Sequence, residues 1–137
     1  MNSILTPILA LVVWSLLVWA WMLATRIPAM QKAKFDPQGA AHTTALHVLP
    51  SRVRAVADNY NHLMEQPTIF YGLVIYLHLT AQAGPINIVL AWAYVALRVV
   101  HSLVQNTANI VALRFILFVT STLMLVILAA RAVWALF

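Results

Sequence analysis

Cysteine is absent from this 137-residue chain, which excludes disulfides, thiolate metal centres and a cysteine nucleophile at once. Any sulfur chemistry has to arrive with a substrate. Charge is nearly as scarce: 8% of the residues are Asp, Glu, Lys or Arg, about a third of the ~25% of ordinary soluble domains. Acids are scarcest, three against eight Lys and Arg. No internal repeat and no low-complexity tract is apparent in the sequence.

Apolar length is what remains. Hydrophobic residues make up 64% of the chain and its mean hydropathy is +0.90. A membrane-spanning helix needs ~20 mainly apolar residues, and three runs approach that: 4–24, 85–104 and 115–137, the last broken only by Arg131. A fourth, 68–83, is shorter and continues a polar helical segment. The expected fold is all-α, an integral membrane four-helix bundle occupying 1–137 as a single domain. The first run lacks a basic start and is rich in tryptophan (Trp14, Trp19, Trp21), so it reads as a retained helix rather than a signal peptide.

Loop signals concentrate between residues 26 and 50, at Pro28, Asp36-Pro37, Gly39 and Pro50. Ser51 is the expected N-cap of a second helix reaching about Ala81. Such a helix is roughly 45 Å long, more than the ~30 Å hydrocarbon core, so its first half protrudes or is sheltered by other helices. Gly84-Pro85 opens the third helix, and Gln105 to Asn109 forms a tight polar link to the fourth. Arg26, Lys32, Lys34, Arg52 and Arg54 surround the first connection, whereas the second carries no charge. The positive-inside rule puts the first connection in the cytoplasm and both termini on the non-cytoplasmic side. The net charge of +5 then faces anionic headgroups of membrane lipids. Nucleic-acid binding is not expected, because eight cations on a bundle need no such partner.

Arg98 lies inside the third apolar run, where a cation costs roughly 2.5–3.5 kcal/mol on insertion scales. It shares three- and four-residue spacing with His101 and Gln105. On the second helix Arg54, Asp58, Asn61, His62 and Glu65 follow similar steps and share a face. At ~1.5 Å rise per residue, Glu65, Arg98, His101 and Arg114 reach one level, roughly 20–25 Å below the uncharged turn. In lipid they must face one another or a neighbouring subunit. The surplus of guanidinium over carboxylate points to a site for a small anion, with apolar walls for a lipophilic small molecule. The alternative is that Glu65–Arg98 and Asp58–Arg54 are ion pairs that fix helix register.

No metal or haem is expected. His78 and His101 stand ~20 Å apart in depth by helix rise, too far for one haem. His62 and His101 have no second ligand on their own helices, and His42 and His47 fall in the loop. A proton-coupled exporter is disfavoured because the first helix holds no carboxylate. The five tryptophans read as packing and interfacial anchors.

The segments RVRAVADNYNHLMEQPTIF (Arg52 to Phe70) and LRVVHSLVQNTANIVALRF (Leu97 to Phe115) resemble the MAPEG family, the membrane-associated proteins in eicosanoid and glutathione metabolism. The likeness runs through all four helices and is most specific in the second and third. It implies a homotrimer of four-helix protomers with glutathione, as co-substrate or ligand, bound between subunits near the cytoplasmic face. A compact bacterial member of the inner membrane is expected. Arg114 falls where catalytic members stabilise the glutathione thiolate, and Arg54, Asn61, Glu65, Arg98 and His101 fall among the glutathione-holding positions. The implied activity is a microsomal-type glutathione transferase or peroxidase acting on lipophilic electrophiles. The pattern departs from the family at Met64, with the acid one position later at Glu65, and at Gln105 and Phe118, where several enzymes carry tyrosine. A non-enzymatic lipid-binding or scaffold protein of the same fold is therefore the alternative.

Overall fold

The computed structural model describes residues 3–40 and 43–137. Four helices follow in order: α1 (Thr6–Lys32), α2 (Ser51–Leu79), α3 (Pro85–Asn106) and α4 (Val111–Trp134). Two 3₁₀ turns, Pro37–Ala40 and Thr43–Val48, occupy the first connection. His47 is exposed in the second of them, and His42 lies outside the described residues. Short links at 80–84 and 107–110 force antiparallel neighbours. The bundle therefore has one end bearing the α1–α2 and α3–α4 connections and another bearing the α2–α3 turn.

Each helix buries a stripe at three- and four-residue steps. On α1 it runs Pro7, Leu11, Ser15, Val18, Met22, and on α2 Val56, Asn59, Leu63, Pro67, Phe70, Val74, Leu77. On α3 it runs Asn87, Ala91, Tyr94, Arg98, His101, Gln105, and on α4 Ser121, Leu125, Leu128, Ala132. Steps of this kind stay close to the ~3.6-residue turn of an α-helix, so each stripe holds to one face and packs against its neighbours. At mid-height Phe70 and Tyr94 stack with centroids 4.4 Å apart and planes 20° from parallel, worth ~0.5–1.5 kcal/mol beyond burial.

The outward faces of α1 and α4 are apolar, with Leu9, Leu16, Leu17, Phe115, Ile116, Leu123 and Val126 exposed. Among the described residues three helices, α1, α3 and α4, are long and apolar enough to cross a membrane. The first half of α2 is too polar to join them. Lipid tails are as apolar as leucine, so association in a bilayer rests on close packing and interhelical hydrogen bonds. Asn59 Nδ2 donates to Ser102 Oγ and to Asn106 Oδ1 at 2.9 Å, tying α2 to α3. Gln66 Nε2 donates to Thr122 Oγ1 at 2.8 Å, tying α2 to α4.

Two expectations about boundaries need correction. Pro28 is not a loop residue: α1 continues through it to Lys32. Its missing N–H forfeits one bond near an exposed helix end, and Ala33 N–H still closes on the Ala29 carbonyl at 3.0 Å. Nor does Ser51 cap α2, since the N-cap is Pro50 and no side chain caps the helix. Pro50 is extended at ψ 144°, and its carbonyl accepts the N–H groups of Val53 and Arg54 at 3.0 and 3.1 Å.

Candidate functional site

The α3 seam changes character along its length. Ala91 and Tyr94 belong to the apolar core, and one turn later the same stripe carries Arg98, His101 and Gln105, all buried. Arg98 is 1% exposed. Its Nη2 donates to the His62 carbonyl at 2.9 Å, while Nε and Nη1 are buried without a partner. A buried donor left unsatisfied costs ~1–3 kcal/mol, more when charged. The guanidinium carbon lies 5.7 Å from the Phe118 ring centroid, a cation–π contact that offsets part of that cost.

His101 joins α3 to the start of α4. Its Nδ1–H donates to the Arg114 carbonyl at 3.0 Å, and Nε2 faces the Gln105 side-chain amide at 3.2 Å. Through its Nδ1–H, His101 ties α3 to the backbone of Arg114. Its ring stacks on that of His62, centroids 6.3 Å apart. Among the described residues no group of three or more His, Cys, Asp or Glu converges in a way that could hold a metal ion.

Arg114 is half-buried in the first turn of α4. Its Nη1 donates to Asn109 Oδ1 at 2.7 Å, and its Nε is buried without a partner. Asn109 has φ 51°, a left-handed conformation that asparagine tolerates better than most residues. The link between α3 and α4 thus turns sharply and steadies the arginine. Beside it opens a cavity of about 240 Å3 lined by His62, His101, Val111, Arg114, Phe115 and Phe118. Its walls are mostly apolar, with the one guanidinium at the rim. Phe118 serves two neighbours, lining the cavity and touching Arg98.

Apart from His62, which lines that cavity, the polar residues expected from α2 lie elsewhere. Asp58, Asn61 and Glu65 are exposed, and Arg54 and His62 are half-buried. The stripe Arg54, Asp58, Asn61, Glu65 is two residues out of phase with the buried stripe Val56, Asn59, Leu63, Pro67, which is about 200° round the helix. It therefore points away from the protomer's core. An internal Glu65–Arg98 pair does not form, because the Arg98 donors meet His62 or nothing. Of the α2 residues expected at the site, only the backbone of His62 reaches Arg98.

Several residues at the site escaped the sequence reading: Asn59, Ser102 and Asn106 as a buried cross-link, Asn109 as the anchor of Arg114, and Phe115 and Phe118 as cavity wall. Asn59 was findable, since it falls in phase with Leu63, Pro67 and Phe70. The roles of Asn109 and Phe118 depend on loop geometry and carry no local signal.

No curated protein and no solved structure matches the chain. A family model does: that of the MAPEG family matches residues 4–134, nearly the whole chain and all four helices. The agreement takes in α2, the polar stretch of α3 and the opening of α4, so this chain belongs to the MAPEG family and is an integral membrane protein.

Proposed function

We propose that this protein binds glutathione within the bacterial inner membrane, close to the cytoplasmic face, and transfers it to lipophilic electrophiles or uses it to reduce lipophilic peroxides. The observation that carries this reading is the cavity beside Arg114, a cation with a spare buried donor against a wall of Val111, Phe115 and Phe118. A thiolate at the rim meets positive charge in a water-poor setting, where a fixed donor stabilises developing negative charge most strongly. A nearby guanidinium also lowers a thiol's pKa and raises the thiolate fraction. In conjugation the sulfur bonds the electrophilic carbon, and the displaced electron pair leaves with the leaving group or passes to the acceptor.

The charges fit the ligand. Glutathione carries two carboxylates, one amine and a thiol, and the chain supplies Arg54, Arg98 and Arg114 against Glu65. Arg54 and Asn61 would hold carboxylates and Glu65 the amine, with His101 in the cavity wall and Arg98 acting from behind it. A polar stripe facing out of a membrane helix is costly unless something covers it. That supports glutathione lying where Arg54, Asn61 and Glu65 meet a second subunit of a homotrimer. Calorimetric titration of glutathione into the detergent-solubilised protein tests binding. Arg114→Ala is expected to cut conjugation of a model electrophile by about 10²-fold or more while the trimer persists, and unchanged turnover rejects the role of Arg114.

A second reading is non-enzymatic lipid binding. It is favoured by the cavity lining, in which Phe118 stands where several family enzymes carry a tyrosine and no hydroxyl is available to a thiol. Glutathione-dependent turnover by the purified protein excludes it.

A further inference from the structure

At the opposite end of the bundle, Arg131 occupies the last turn of α4. It stands far in sequence from every acidic side chain: Asp36, Asp58 and Glu65, the three acids of the chain, lie in the first connection and the first half of α2. No Lys or Arg accompanies it either, since the neighbouring ends of α2 and α3 carry no charged residue between Glu65 and Arg98. The guanidinium is nevertheless held in place. Its Nε–H donates to Asn87 Oδ1 at 2.6 Å. Asn87 is 5% exposed, and its Nδ2 donates to the Gln82 carbonyl at 2.8 Å, which fixes the amide with its oxygen toward the arginine. Arg131 itself is exposed, so its two outer nitrogens are presented in a planar fork. They border an open groove of about 430 Å3 lined by Ile127, Ala130, Arg131, Trp134 and Ala135.

We infer that this groove is a binding site for an anionic phospholipid of the leaflet at the α2–α3 end. The phosphate sits on the outer nitrogens of Arg131, Trp134 packs at headgroup level, and an acyl chain follows Ile127 and Ala130 into the bilayer. Each part has a physical reason. A guanidinium fork matches two phosphate oxygens, tryptophan favours the membrane–water boundary, and an unpaired cation prefers a lipid of net negative charge. Clamping Nε against Asn87 orders the side chain before the lipid arrives, which lowers the entropy lost on binding.

Native mass spectrometry of the whole protein, released from detergent containing equal phosphatidylglycerol and phosphatidylcholine, tests this. The wild type is expected to retain phosphatidylglycerol preferentially. Arg131→Gln should lower its occupancy at one site per protomer roughly fivefold, the change given by ~1 kcal/mol of attraction per arginine. Charge removal at the other end (Arg26→Gln with Lys32→Gln and Lys34→Gln) should leave that Arg131-dependent lipid in place. Equal retention by wild type and Arg131→Gln overturns the site. Displacement of the lipid by millimolar inorganic phosphate overturns the lipid assignment in favour of a free anion. Should Arg131→Gln fail to fold, Arg131→Lys keeps the charge without the fork and is expected to show an intermediate loss, while undiminished retention overturns the fork geometry.

Discussion

Two polar stripes, one on α2 and one on α3, look alike in sequence and do opposite things. Arg98, His101 and Gln105 continue the seam on which α3 packs, so they are buried and join α3 to α2 and α4. Asp58, Asn61 and Glu65 have the same spacing but lie across the helix from the α2 seam, and they are exposed. Spacing defines a face. Only its phase relative to the apolar positions says whether that face looks inward. The buried stripe can hold a charge for one protomer, whereas the exposed one asks for a partner.

Substitutions separate the two. The largest stability effect is expected in the apolar seam they are measured against: Phe70→Ala should cost about 3–5 kcal/mol, read as a lowered Tm in detergent, while Ile69→Ala, at an exposed neighbour, should be near neutral. Arg98→Met comes next. It keeps volume while removing a poorly satisfied buried charge, and such exchanges are often neutral or stabilising. Tm should therefore hold or rise, while glutathione affinity falls roughly tenfold, ~1.4 kcal/mol. A drop in Tm as large as that of Phe70→Ala would instead make Arg98 a structural bolt. Glu65→Gln should leave the secondary structure and packing of the protomer intact and weaken glutathione binding or subunit association by about 1 kcal/mol, read by calorimetry and by analytical ultracentrifugation. Unfolding on Glu65→Gln would break the comparison outright. The smallest effect belongs to Asn59→Leu, which removes donors to Ser102 and Asn106. Interhelical hydrogen bonds in membranes average ~0.6 kcal/mol and reach ~1.7, so a Tm shift of a few degrees is expected.

Much of the fold was legible because lipid imposes a simple rule: a helix of about 20 apolar residues closes its own hydrogen bonds and crosses. The runs at 85–104 and 115–137 anticipate α3 and α4 to within a few residues at most ends. Pro28 and Ser51 misled for a shared reason, since both are local signals whose meaning depends on where the helix end sits. The site was legible in part. Arg98, His101 and Arg114 belong to one neighbourhood, as their depths require. Glu65 shares the level but not the direction, and the cavity wall of Phe115 and Phe118 could not be read from spacing at all.

Composition and periodicity alone thus determined that this is a cysteine-free, cation-surplus bundle of four helices built for a membrane, with its arginines at heights that helix rise sets. Tertiary structure decided what each polar residue meets. Rotation about a helix axis costs nothing in local hydrogen bonding, so the angle of each helix is chosen only when its seam packs against its neighbours. That choice turned Arg98 inward beneath Phe118, left Glu65 facing outward, and set Arg131 against Asn87.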